Sequence, residues 1–248
     1  MLERKISDGL LTLGTNAGSR LIRDLRQAQS TILVVSPYVS EGYLDLLIER
    51  QAEGVHVILL TTTDFEGKNN SLDYYRKLIT QTEHTDKAKL KWFKNTTRVF
   101  FALMFIAFIL AGTGTYIEQY ELLHALWLAP VLLLVREQGI SKIKVYSYTY
   151  DTRIHVNILV SPYTERITQN QYFVHSKIYM IDGKIAYLGS LNFTLSGQKY
   201  NYESCIRVDD PALVADIESE LSAFDEDPDV FFRRIESVGK EIFFERLN

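Results

Sequence analysis

The chain has 248 residues, with 27 Lys and Arg against 31 Asp and Glu, 46% hydrophobic residues, 12% aromatics and one cysteine. That length suits one globular domain, or one domain with an insertion. The single Cys205 excludes a disulfide framework and a Cys-cluster metal site, and makes a reducing compartment the natural home. As averages, the net charge of −4 and the mean hydropathy of −0.05 argue against a basic nucleic-acid binder and against a membrane protein.

The N-terminal stretch has charges at its start but no sustained apolar core or small-residue cleavage site, so it reads as mature protein. Leu21, Ile22 and Leu25 fall at helical spacing between Gly18 and Gln29. The β-branched run ILVVSPYV (32–39) reads as a buried strand, 41–53 as an amphipathic helix closed by Gly54, and VHVILLTTT (55–63) as a second buried strand. A strand–helix–strand unit whose strands are apolar on both faces predicts an α/β fold with a helix-covered sheet. After a polar turn at 65–71, a helix is expected from Leu72 to about Glu83.

The local composition then breaks with the averages. Lys87, Lys89, Lys91, Lys94 and Arg98 fall within 87–98 with no acid among 87–98, and the next 19 positions, 99–117, carry no charge. A polar tip, EQYE (118–121), leads to the uncharged 122–135, which contains Pro130 and ends at Arg136. The first run meets the length of a membrane span, roughly 17–25 residues; the second is short for one. Basic outer ends and an acidic tip obey the positive-inside tendency. The expectation is therefore a transmembrane or membrane-embedded helical hairpin over 95–136, contacting the bilayer through 99–135, inserted between two parts (1–86 and 137–248) of one catalytic domain on the cytoplasmic face of the inner membrane. From Lys142 strand patterns resume at 142–149, 153–160, 172–182, 185–190 and 202–209, with a tight Asp-Gly turn at Asp182-Gly183 and an acidic helix over 211–224.

The residues that carry chemistry are His175, Lys177, Asp182, Gly189, Ser190 and Asn192, spaced HxKx4Dx6GSxN, with Glu203 thirteen residues beyond Ser190. Alone, an HxK pair in a strand is a solvated face and Ser190 or Asn192 an ordinary turn residue; the joint pattern resembles the HKD signature of the phospholipase D superfamily at every fixed position. More loosely the resemblance extends over 18–63 and 140–209. It implies a phospholipase D-like sheet flanked by helices. It also implies a phosphodiesterase working through a covalent phosphohistidine, in which one histidine attacks phosphorus and a second protonates the leaving group and then activates water. That scheme needs no metal or cofactor. Glu203 stands where the family often places an acid supporting the histidine, Asp182 has a more structural role in the resemblance, orienting a histidine or a loop, and Tyr38 borders the family's cleft.

The residue chemistry agrees. Strand alternation puts His175 and Lys177 on one face, and an ammonium beside an imidazole favours the neutral, nucleophilic ring. A phosphodiester supplies the anion such a pair lacks. Lys177, Ser190 and Asn192 offer donors to its non-bridging oxygens, and Glu203 could hold the distal ring nitrogen of His175. The resemblance further implies two HKD copies per site, and this chain has one, since His56, His84, His124 and His155 have no Lys two residues on. A homodimer follows, its two-fold axis between two His175 side chains.

For the substrate, a nuclease is favoured, because small single-motif members of the superfamily are commonly dimeric endonucleases. A cardiolipin-type phospholipid hydrolase is the alternative, and a non-catalytic membrane-tethered binding module the third reading. Nine acids and no Lys or Arg lie in 208–230, so removing those nine from −4 leaves +5 on the rest, compatible with a basic cleft. Under the nuclease reading a nucleic-acid motor protein is the natural partner.

Overall fold

Apolar residues in the central strands fall on both faces, and the computed structural model places helices on both sides of a seven-stranded sheet. The structure describes residues 9–62, 71–116, 128–136, 139, 142–159, 175–226, 230 and 232–246. The chain divides into two units, one formed by Met1–Thr80 and Tyr150–Phe243, the other by Gln81–Thr149 and Phe244–Asn248.

In the first unit the strands are β1 (Leu10–Gly14), β2 (Thr31–Val35), β3 (His56–Thr62), β6 (His155–Leu159), β7 (Lys177–Ile181), β8 (Ile185–Gly189) and β9 (Glu203–Val208), in the spatial order β1-β9-β8-β7-β2-β3-β6. β2, β3 and β6 run parallel, joined in part by helical crossovers, whereas β7, β8, β9 and β1 continue the sheet in antiparallel fashion. The pleat sorts side chains cleanly. Ile32, Val34, Val57, Leu59, Tyr179, Ile181, Tyr187 and Cys205 face a core closed by helices α1 (Ser19–Gln27), α2 (Glu41–Ala52), α3 (Ser71–Leu78) and α7 (Ile235–Ile242). Met180, Ala186 and Val208 face the opposite way, under helix α6 (Pro211–Asp225). α6 starts where Asp210 accepts a hydrogen bond from the Leu213 amide, 2.7 Å, with Pro211 in the first turn.

The second unit contains a helix α4 (Lys87–Tyr116), a helix α5 (Leu128–Val135) and most of a two-stranded ribbon, β4 (Ile79–Thr85) with β5 (Tyr146–Thr152). Asp86 caps α4 by accepting from the amides of Ala88 and Lys89, both at 3.0 Å. The basic and the apolar stretches form one continuous 30-residue helix, about 45 Å long.

Three expectations change. The helix expected over 72–83 ends at Leu78, and ITQTEHT, rich in β-branched residues, continues as β4 with β5 as its partner. LLTLG, to which no element was assigned, is β1, an edge strand paired among the described residues with β9. ESVGKEI, within a tail with no assigned element, belongs to α7, whose Val238 and Ile242 enter the core. The acidic tip at 118–121, His124 and the start of the second apolar run lie outside the described residues, as do 160–174, which include the start of the strand expected over 172–182.

Candidate active site

Three strand ends build the site. Lys177 opens β7, Gly189 closes β8 and Glu203 opens β9, with the register Lys177↔Gly189 and Gly189↔Cys205. Opposed residues point to one face, so Lys177 and, two residues out on β9, Glu203 share the face covered by α1 and α2. Gly189 lies between their strands. A Cβ there would come within 2.1 Å of the Ser204 carbonyl oxygen and 2.8 Å of the Cα of Cys205. Glycine is thus demanded by the close approach of β9.

Lys177 is 6% exposed, whereas His175 is exposed. The Lys177 Nζ lies 3.1 Å from His175 Nδ1 and donates to the His175 carbonyl oxygen at 2.6 Å. Burial pushes the Lys177 ammonium below the ordinary lysine range, and the negative charge of Glu203 opposes that shift. The Glu203 carboxylate accepts from the Ser190 hydroxyl on one oxygen and from Asn201 Nδ2 on the other, 3.1 Å. Ser190 is further fixed by its amide to the Ser204 carbonyl, 2.9 Å, and by the Ser204 amide donating to its Oγ, 3.0 Å.

The loop carrying Asn192 is pinned on either side. The buried Tyr179 hydroxyl donates to the Leu191 carbonyl. Phe193 is fully buried between Tyr43 and Tyr179, with ring centroids 5.0 and 5.6 Å away. Its amide donates to Ser36 Oγ, 3.0 Å, and its carbonyl accepts from the Ser40 amide, 2.9 Å. The same Ser36 hydroxyl donates to the Tyr38 carbonyl at 2.7 Å, which ties the segment bearing Tyr38 to the Asn192 loop. Gln198, on a π-helical turn over Ser196–Tyr200, donates from Nε2 to the Asn192 carbonyl at 2.9 Å. Asn192 Oδ1 is buried with no hydrogen-bond partner among the described residues.

Asp182 is not with these groups. It sits at the other end of β7, on the order of 20 Å from His175 along the strand. Its carboxylate accepts from the amides of Gln29, Ser30 and Thr31 and from the Ser30 hydroxyl at 2.7–3.0 Å. Burial raises its affinity for a proton, but the amides of Ser30, Gln29 and Thr31 outweigh this and hold the carboxyl below its usual range. Asp182 (φ 55°) and Gly183 (φ 60°) both adopt the left-handed conformation of the turn that joins β7 to β8. Asp182 therefore clamps the hairpin bearing His175 and Lys177 onto the start of β2.

Sequence reasoning missed Ser36, Tyr179, Phe193 and Gln198. They hold the backbone of the Asn192 loop through contacts across six to 157 residues, which the motif spacing does not announce. Among the described residues no three His, Cys, Asp or Glu side chains cluster as metal ligands.

Residues 130–224 match the model of a family described as "Cardiolipin synthase, PLD-like domain", a span that includes every motif residue from His175 to Glu203. That segment is thus similar to a phospholipase D-like domain over the stretch that carries the motif. No curated protein matches the sequence. Among solved structures it is similar to NucT from Helicobacter pylori (12% identity, 91% of this chain and 99% of that one, TM-score 0.48). It is also similar to the phospholipase D family member Nuc from Salmonella typhimurium (11% identity, 92% and 99%, TM-score 0.46). A third similarity is to a phosphatidylserine synthase from Haemophilus influenzae (13% identity, 95% and 44%, TM-score 0.43).

Proposed function

We propose that the chain is a membrane-anchored, metal-independent phosphodiesterase that cleaves nucleic acid at a site completed by a second copy of itself. The observation that carries this reading is the exposed His175 ring held 3.1 Å from a buried Lys177 ammonium. A nucleophile and a fixed cation stand together. A ring nitrogen of His175 attacks phosphorus, and the P–O bond to the leaving oxygen breaks. The His175 of a second copy gives that oxygen its proton. Water, deprotonated by the same second histidine, then attacks the phosphohistidine, releases the phosphoryl product and restores the free ring. Lys177 and the Ser190 and Asn192 groups stabilise charge on the non-bridging oxygens as it builds.

Nucleic acid is favoured over lipid by the rim of the site. Tyr200 and Tyr202 flank Asn201 and precede Glu203 with 66% and 78% exposure, a platform on which bases stack whatever their sequence. A phospholipid substrate is the second reading, favoured by α4. Val99, Phe101, Phe105 and Phe108 are exposed on it. Its apolar window, only 17% buried, is long and apolar enough to cross a membrane. In either reading α4 enters the bilayer, and its basic first turns hold the catalytic unit on the cytoplasmic side.

Purified protein in EDTA, given single- and double-stranded nucleic acids and phospholipid vesicles beside His175→Ala, separates the two. Turnover of nucleic acid by the wild type alone is expected; turnover of vesicles alone overturns the nuclease reading.

A further inference from the structure

α4 and α5 enclose a groove that neither strand chemistry nor a plain anchor requires. Its volume is about 380 Å³, and it is lined by Trp92, Asn95, Thr96, Val99, Phe100, Leu103 and Leu132. The six α4 residues recur at intervals of one, three and four, so they form one stripe along the helix. That stripe runs about 17 Å, from the basic turns into the apolar ones. Its two polar side chains, Asn95 and Thr96, sit at the basic end. Everything beyond them is hydrocarbon.

One cation is seated against the groove itself. From α5, the Arg136 guanidinium lies 5.6 Å from the ring centroid of Phe100, a wall of the groove. A slot with an apolar floor, two polar side chains at its mouth and a guanidinium against its wall is complementary to an anion carrying a long alkyl chain. We infer that the groove holds one anionic phospholipid, its acyl chain along Val99, Leu103 and Leu132 and its phosphate at Arg136. A zwitterionic lipid offers the same chain but brings its own cation to the mouth, so it competes poorly.

The inference rests on α4 meeting a bilayer, and one experiment separates the two. Full-length protein in mild detergent is titrated with phosphatidylglycerol or phosphatidylcholine and read by native mass spectrometry. Flotation on phosphatidylcholine vesicles is scored in parallel. One saturable phosphatidylglycerol adduct per chain is expected, with phosphatidylcholine bound less. Arg136→Gln should lower phosphatidylglycerol occupancy about fivefold, and Leu103→Trp, which fills the slot, should abolish the adduct, while both variants still float. Equal binding of the two lipids, or wild-type occupancy in Arg136→Gln, overturns the lipid site. Should Leu103→Trp not fold, Arg136→Gln decides alone. A wild type that fails to float overturns the membrane reading, and the detergent titration still judges the groove.

Discussion

A buried lysine at a strand end costs stability, and Lys177 is kept in that position beside an exposed histidine. Because burial lowers its proton affinity on folding, the cost is full below the lowered native value. It is relieved as pH rises from the lowered native value toward 10.5, where the unfolded lysine also titrates. Lys177→Met should therefore raise stability by about 1 kcal/mol at neutral pH and flatten that alkaline rise, while turnover falls by roughly a hundredfold or more; chemical denaturation at several pH values and an activity assay measure both. Asp182 has the opposite sign. Its carboxyl is held below 3.8 by the Ser30, Gln29 and Thr31 amides, so its contribution is present above that value and lost as pH falls through the native one. Asp182→Asn should cost about 1–3 kcal/mol at pH 7, lose part of the acid dependence of unfolding, and leave turnover per folded molecule near wild type. A loss of turnover with no loss of stability would place Asp182 in the chemistry instead. Gly189→Ala forces a methyl against the Ser204 carbonyl and should destabilise by about 1–3 kcal/mol in the same measurements.

At the level of elements, what was legible followed from periodicity and from fixed spacing. The strands at 31–35 and 56–62 announced themselves because both faces are buried, and the hairpin at Asp182-Gly183 because only certain residues accept its backbone. β1 was hidden because Leu10, Leu11 and Leu13 are all exposed on an edge, so no alternation marks a core face. The passage from α3 to β4 was hidden because Leu78 and Ile79 are both buried, which suits either period, and the switch depends on β5, some 70 residues away. Likewise His175, Lys177, Ser190, Asn192 and Glu203 could be picked out by spacing, but the Tyr179, Phe193, Ser36 and Gln198 contacts that rigidify them could not. α4 also shows a limit of composition: a charged stretch and an uncharged one read as separate segments but share one helix. If that helix enters a bilayer, Phe105→Lys should cost about 2.5–3.5 kcal/mol of insertion and shift the protein from the membrane pellet toward the soluble fraction. An unchanged partition would remove the anchor.

For the molecule as a whole, the averages concealed two opposed parts. The −4 charge is the sum of a nine-acid stretch around α6 and a +5 remainder, and the near-zero hydropathy mixes a polar catalytic unit with an exposed apolar helix. If a second copy completes the site, as proposed, activity should fall with dilution below the dimer dissociation constant. The most direct test is on His175 itself. Wild-type protein mixed with a nucleic-acid oligonucleotide in EDTA, quenched within a turnover and digested, should show the oligonucleotide's phosphoryl group attached to His175 by mass spectrometry, and His175→Ala should show neither adduct nor product. Cleavage in EDTA that persists in His175→Ala, or that proceeds in the wild type with no adduct on His175 at any quench time, would contradict the account.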